Sequence, residues 1–197
     1  MPNHSIGSFM PNQLPPADFD GMFRLRFEVF SERLGWEVQT SDGMERDRFD
    51  DLPRVAYVLA KSSSGTIDAC WRILPTTGPY MLSDTFPELL HGQASPVSED
   101  CWELSRFAVA TNRTTTNNGA FGAIAIALMV ESAKFAKANG ISRYVTVTTP
   151  AMERMMKNLK IHIHRIGPPI RIGVAFAVAC YIEVDDITLR ALGLLTQ

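Results

Sequence analysis

The sequence predicts an α/β chain in which a mixed central sheet is flanked by helices. Three observations lead there. Apolar residues recur at helical spacing in two long segments, runs rich in β-branched and aromatic residues lie between and after them, and a polar connection containing glycine joins two of those runs directly. With 197 residues, 46% of them hydrophobic, the chain can fill one core, so a single domain is expected over 1–197, with residues 1–14 as a flexible lead.

Pro15-Pro16-Ala17-Asp18 opens the first helix, in which Phe19, Met22, Phe23, Phe27 and Phe30 recur every three or four residues to about Arg33, and Gly35 ends it. From Glu37 to Pro53 neither period is sustained and eight charged side chains crowd together, which reads as a long loop with a purpose. Val55–Ala60 and Thr66–Leu74 are strands joined by Lys61-Ser62-Ser63-Ser64-Gly65 as an antiparallel hairpin. Pro75, Pro79, Pro87 and Pro96 make the next stretch mostly connection, with a helical turn or two around Phe86-Pro87-Glu88-Leu89-Leu90. Cys101–Val109 returns to strand composition. Asn117-Asn118-Gly119-Ala120 is turn chemistry leading into a helix whose face carries Phe121, Ile124, Leu128 and Phe135 and which Asn139-Gly140 terminates. Tyr144–Thr149 is a strand, Thr149 caps a short helix with Pro150 at its first position, and Ile161–Ile166 and Gly173–Val184 are two more strands.

Composition narrows the function. Nineteen Lys and Arg against 21 Asp and Glu leave a net charge of -2, which disfavours generic nucleic-acid binding. Cys70, Cys101 and Cys180 are odd in number and far apart, so they read as buried small hydrophobes in a reducing compartment. Met1–Leu14 lacks the pattern of a secretory signal, and the most apolar stretch, Ile172–Ile182, is shorter than the ~20 residues a membrane helix needs. The expectation is a cytoplasmic protein. His4, His91, His162 and His164 show no metal-ligand spacing, and no GxSxG, Walker loop or GxGxxG occurs. Gly119-Ala120-Phe121-Gly122 before a helix is ordinary turn geometry, although helix amides there can receive a phosphate.

Charged residues stand out where apolar ones are expected: Arg26 in an aromatic helix, Asp47 and Asp50 in the acidic loop, and Arg72, Glu103 and Arg106 inside strands. Three arginines and three carboxylates sum to zero. They fit an ion-pair network that staples the loop to the sheet, and they fit equally a polar pocket for a zwitterion. A regular strand would place Glu103 and Ser105 on one face and Leu104 and Arg106 on the other, so lining one pocket requires an irregularity near Ser105. Phe30 and Trp36 add aromatic faces, which attract cations by ~0.5–2 kcal/mol each.

These residues lie in a run of ordered motifs: Leu25-Arg26-Phe27-Glu28-Val29-Phe30, Arg33-Leu34-Gly35-Trp36, Glu45-Arg46-Asp47-Arg48-Phe49-Asp50, Cys70-Trp71-Arg72-Ile73-Leu74-Pro75, Thr85-Phe86-Pro87-Glu88-Leu89-Leu90, Trp102-Glu103-Leu104-Ser105-Arg106-Phe107, Val145-Thr146-Val147-Thr148-Thr149 and Gly167-Pro168-Pro169-Ile170-Arg171-Ile172-Gly173. In these the chain closely resembles the bacterial acyl-homoserine lactone synthases, the autoinducer synthases of quorum sensing. The family's characteristic positions fall on Arg26, Phe30, Trp36, Asp47, Asp50, Arg72, Phe86, Glu103 and Arg106, each with the expected residue.

The resemblance implies a fold similar to the GCN5-related N-acetyltransferases, with a V-shaped gap between two central strands. It also implies the reaction. An acyl group carried as a thioester on acyl carrier protein passes to the amine of S-adenosylmethionine, whose carboxylate then displaces 5′-methylthioadenosine to close the lactone. S-Adenosylmethionine is a substrate, so no cofactor is expected.

Arg26, Phe30, Trp36, Asp47, Asp50, Arg72 and Phe86 are the implied S-adenosylmethionine residues. Glu103, with Ser105 and Arg106, is placed at the chemistry, Glu103 as the base acting directly or through water. Thr146 and Thr148, with Leu104, are expected along the acyl chain, where a hydroxyl can bond a 3-oxo group of a medium or long chain. The carrier is acidic, so Arg154, Lys157, Arg165 and Arg171, with Lys160, form the expected docking surface. The rival readings are an acyl-coenzyme A-dependent N-acyltransferase of the same fold and a non-catalytic small-ligand sensor.

Overall fold

The computed structural model describes residues 4–111 and 120–196. Its strands are β1 (Ser5–Phe9), β2 (Thr40–Ser41), β3 (Met44–Glu45), β4 (Ala56–Lys61), β5 (Ile67–Pro75), β6 (Cys101–Val109), β7 (Arg143–Thr148), β8 (Ile163–Arg165), β9 (Ile170–Ile172) and β10 (Ala175–Glu183). The α-helices are α1 (Pro16–Arg26), α2 (Met81–Asp84), α3 (Ala120–Ala138), α4 (Pro150–Asn158) and α5 (Asp186–Ala191). A π-helix, Phe27–Arg33, continues α1. The predicted turn at Asn117–Gly119 lies outside the described residues.

The main sheet runs β1-β4-β5-β6-β7-β10-β8, with β9 paired to β10. It is mixed, as expected. β1 and β4 are antiparallel, as are β10 with β7, β8 and β9, whereas β6 and β7 are parallel. The chain divides into two compact units, Met1–Arg72 with Arg106–Ser132 and Ile73–Ser105 with Ala133–Gln197. β5, β6 and α3 contribute residues to both.

The first unit buries the inner face of α1 and the π-helix, Met22, Phe23, Leu25, Val29 and Phe30, along with the whole of β4 up to Ala60. Proline at the start of α1 costs no hydrogen bond there, and the Asp18 carboxylate in its first turn accepts from Lys61 Nζ at 2.7 and 2.9 Å. Within residues 1–14, read from the sequence as a flexible lead, Ser5–Phe9 pairs with β4 from Ser5↔Lys61 to Phe9↔Tyr57. Pairing with β4 satisfies the backbone groups on that side of the strand, and Ser8 Oγ donates to Glu131 at 3.1 Å. These partners lie far along the chain, so a polar N-terminal stretch carries no local sign of them.

The second unit packs Leu82, Leu89, Leu104, Tyr144, Val145, Met156, Val178 and Ile182. The Thr149 side chain accepts the Met152 N–H at 3.2 Å to start α4, as its sequence predicts. Asp185 does the same for α5 through the Thr188 N–H, at 3.0 Å. β9 and α5 are additions to the predicted order.

Candidate active site

Arg26, the last residue of α1, is fully buried. Beyond it the helix widens: the Leu34 N–H donates to Val29 O at 3.1 Å and the Trp36 N–H to Phe30 O at 2.9 Å. Such π turns concentrate at functional sites. Gly35 takes φ +63°, a left-handed conformation open to glycine, and returns the chain on itself. Trp36 thereby stacks on Phe30, with ring centroids 5.4 Å apart and planes at 15°, and the Arg106 guanidinium lies 5.5 Å from the Phe30 ring centre.

The acidic segment is ordered by its own carboxylates. Asp47 accepts the Phe49 N–H at 3.0 Å and Asp50 accepts the Asp47 N–H at 2.9 Å, closing reciprocal caps on the 3-10 turn Arg48–Asp51. β2 and β3 form a small hairpin just before it and deliver Glu45.

Three arginines converge on these acids. Arg26 donates through Nε to Glu45 at 2.5 Å and through Nη1 and Nη2 to the two Asp50 oxygens at 2.7 and 2.9 Å. Arg72 donates to both Asp47 oxygens, at 2.5 and 3.1 Å, and to Asp50 at 2.9 Å. Arg106 reaches Glu45 through Nε at 3.0 Å and Asp47 through Nη2 at 2.9 Å. Tyr57 Oη donates to Asp50 at 2.9 Å. Arg26, Phe30, Trp36, Asp47, Asp50, Arg72 and Arg106 are thus brought together within the first unit. Glu45 is the residue that sequence reasoning missed: it joins Arg26 to Arg106 and serves as the third carboxylate.

Electrostatics distinguish the three guanidiniums. Burial alone would depress Arg26, but Asp50 and Glu45 outweigh it and hold its pKa above the ordinary arginine value; burial likewise opposes Arg72, which Asp50 and Asp47 hold up. Burial alone would raise Asp50, yet Arg26 and Arg72 hold it far below the usual carboxylate range. Arg106 goes the other way. Burial, with the positive charges of Arg72 and Arg26, outweighs Glu45 and Asp47 and lowers it. Arg106 and Asp47 are also the two members with solvent access, 11% each, so this ion pair forms the accessible edge of the cluster.

The predicted irregularity is present. Arg106 adopts φ +57°, rare for a residue with a side chain, directly after Ser105. In the second unit the parallel β6–β7 register runs from Cys101↔Arg143 to Leu104↔Thr146, while β7 stays paired with β10 as far as Thr148. Glu103 is buried there, its two oxygens accepting the Leu82 and Met81 N–H groups at 2.7 and 3.0 Å. Phe86, half-buried in the same unit, precedes the 3-10 turn Pro87–Leu90. Thr146 is buried and donates its hydroxyl proton to Leu104 O at 2.8 Å, whereas Thr148 is half-buried.

Residues 12–192 match the family profile described as autoinducer synthase. The chain belongs to that family. The synthase is 42% identical over 172 residues to an acyl-homoserine-lactone synthase of Pseudomonas aeruginosa, spanning 87% of this chain and 85% of the relative. It is 41% identical over 154 residues to one from Aliivibrio fischeri, covering 78% and 79%. The crystal structure of the AHL synthase LasI superposes with a TM-score of 0.91 at 38% identity, covering 100% and 99% of the two chains. That of BjaI, a CoA-dependent acyl-homoserine lactone synthase holding SAM and isopentyl-CoA, superposes at 0.85 with 25% identity, covering 96% and 88%. The fold is therefore that of these synthases, as the resemblance implies, and the chain is an acyl-homoserine-lactone synthase, a transferase of autoinducer synthesis.

The basic residues of the synthase separate on inspection. Lys157 and Arg165 are both tied to Glu153, by Lys157 Nζ at 2.6 Å and by Arg165 Nε and Nη2 at 2.8 and 2.5 Å, and Glu153 is buried. Arg154 and Arg171 are exposed. His162 and His164 sit with ring centres 5.8 Å apart, and His162 Nδ1 lies 2.6 Å from Asp185. Among the described residues no His, Cys, Asp and Glu group suits a metal ion, and no helix is long and apolar enough to cross a membrane. The three cysteines are free and buried. Burial pushes the Cys70 and Cys180 thiols up to about 12 and Cys101 up to about 11, so they remain protonated.

Proposed function

We propose that the synthase takes S-adenosylmethionine as acceptor and an acyl carrier protein as donor, and makes an N-acyl-L-homoserine lactone with a medium or long 3-oxo chain. Supporting the acceptor is the Arg106–Asp47 pair at the accessible edge of an otherwise buried neutral cluster. A zwitterionic amino acid can bridge that pair, its carboxylate on Arg106 and its ammonium on Asp47. The stacked Phe30 and Trp36 rings suit the sulfonium. Arg26, Asp50 and Arg72 hold this edge in place from behind. Two synthase structures with 35% and 25% identity, TofI and BjaI, contain MTA and SAM respectively.

In this mechanism the ammonium gives a proton to Glu103, directly or through a water, and the free amine attacks the thioester carbonyl. The C–S bond breaks and the carrier leaves as its thiol, taking the second proton that the attacking nitrogen loses as the amide forms. The substrate carboxylate then displaces methylthioadenosine at the carbon next to the sulfonium, closing the ring and neutralising the sulfur. Glu103, whose carboxylate plane is fixed by two backbone N–H donors, lies on the same strand as Arg106, three residues before it. By the resemblance, Ser105 belongs with Glu103 at the chemistry and Phe86 with the acceptor residues.

Thr148 is the better placed of the two threonines to donate to a 3-oxo group, since the Thr146 proton is engaged by Leu104. A coenzyme A donor is the second reading, favoured by the likeness to CoA-dependent BjaI. Incubating purified synthase with S-adenosylmethionine and either acyl carrier protein or coenzyme A thioesters, with mass spectrometry of the products, decides between them. Lactone and methylthioadenosine in equal amounts support the reading, turnover only with coenzyme A replaces the donor, and binding without turnover leaves the sensor.

A further inference from the structure

β9 and β10 form a hairpin whose turn, Gly173-Val174, projects beyond the rest of the second unit's sheet register. Val174 is 68% and Phe176 59% exposed, the most exposed apolar side chains of this unit apart from Val97. Phe176 pairs directly with Arg171 across the hairpin, and directly opposed residues of an antiparallel pair project from the same face. An exposed aromatic beside an exposed arginine is a composition enriched where proteins meet.

The register extends that face. On β10 every second residue from Phe176 points to the same side: Val178, opposite Thr148 of β7, and Cys180, opposite Thr146 of β7 and Arg165 of β8. Arg171, Phe176, Thr148 and Arg165 therefore share one side of the sheet. α4 lies on it too, because its Glu153 holds Arg165. The exposed residues Arg154 and Lys157 of α4, and Lys160 just after it, add positive charge, while the one carboxylate engaged there, Glu153, is buried.

We infer that Val174 and Phe176, with Arg171, anchor the acidic carrier protein that presents the acyl thioester; this rests on the carrier-dependent reading above. The apolar tip supplies short-range contact, and the surrounding cations supply attraction and orientation. The threonines assigned to the acyl chain stand on the same side, so a carrier seated here delivers its chain toward them without crossing the sheet. A second copy fits less well, because a two-fold contact through this tip would set Arg171 and its neighbouring cations against themselves.

The test uses the full chain with an acylated carrier protein and S-adenosylmethionine. Phe176→Asp and Val174→Asp are expected to raise KM for the acyl carrier at least about tenfold, the change of one decade in affinity that the loss of an interface anchor brings. KM for S-adenosylmethionine stays within about twofold, which also shows that the variants are folded. Arg171→Glu raises the carrier KM at low salt and loses that effect in high salt, whereas the Phe176→Asp effect persists there. A wild-type enzyme that does not use the carrier at all removes the parent reading and the hairpin proposal with it. A wild-type enzyme that does use it, with unchanged carrier KM in both Asp variants, overturns the hairpin proposal. So does a shift from dimer to monomer in sedimentation with the carrier KM unaltered, which assigns the tip to self-association.

Discussion

Asp50 accepts both terminal nitrogens of Arg26, at 2.7 and 2.9 Å, and neither side chain reaches solvent. Such a pair is costly to create and more costly to halve, because the survivor remains buried and charged. Asp50→Asn should therefore lower stability by ~3–5 kcal/mol, read by urea denaturation at neutral pH. The pH dependence follows from the depressed Asp50 value. Its contribution is complete above the unfolded carboxylate pKa, about 4, and is lost as pH falls through that value toward the lower folded one. Asp50→Asn should flatten this acid limb. A loss below ~1 kcal/mol would mean that the neighbouring groups relax around the gap.

Trp36 covers Phe30 and keeps partial exposure, so its removal should affect substrate more than fold. Trp36→Ala is expected to raise KM for S-adenosylmethionine by about 2- to 30-fold, the equivalent of ~0.5–2 kcal/mol of cation attraction, and Trp36→Phe to recover most of it. An unchanged KM in Trp36→Ala would remove the ring from the acceptor site.

Glu103→Gln should reduce kcat by ~10²–10⁴ while near-UV circular dichroism stays native. The amide can still accept one of the two backbone N–H groups but turns an NH₂ toward the other, so a stability loss of ~1–3 kcal/mol is also expected. Stability and turnover are measured on the same sample for that reason. Lactone production near normal in the folded variant would end the role of Glu103 as base.

The two threonines of β7 should behave differently. Thr146→Val removes the bond to Leu104 O and costs ~1 kcal/mol of stability. Thr148→Val leaves stability nearly unaltered and lowers the proportion of 3-oxo lactone, quantified by mass spectrometry from matched 3-oxo and unsubstituted donors. An unchanged ratio in Thr148→Val would place the oxo group elsewhere.

Local chemistry explains what was legible. Cys101–Val109 is a strand over the predicted bounds, and Thr149 caps α4, because alternation and capping act within a few residues. Strand parity pointed to an irregularity near Ser105, and Arg106 takes a left-handed conformation there. Glu45 was not. It lies among eight charges with no period, and its partners are 19 and 61 residues away, set by a two-residue hairpin and the strand geometry of β6. The strand at Ser5–Phe9 and the hairpin partner β9 likewise owe their form to pairing partners elsewhere in the sheet.

The wide winding of Phe27–Arg33 has a consequence for how this family can tolerate length changes. In an ordinary helix each residue advances the phase by about 100°, so deleting one residue between Phe30 and Gly35 would let this segment rewind and swing the indole off the phenylalanine. A deletion that rescues helical regularity here should thus yield a sturdier protein with a blunted appetite for its acceptor, a trade that random indel libraries screened separately for folding and signalling would reveal.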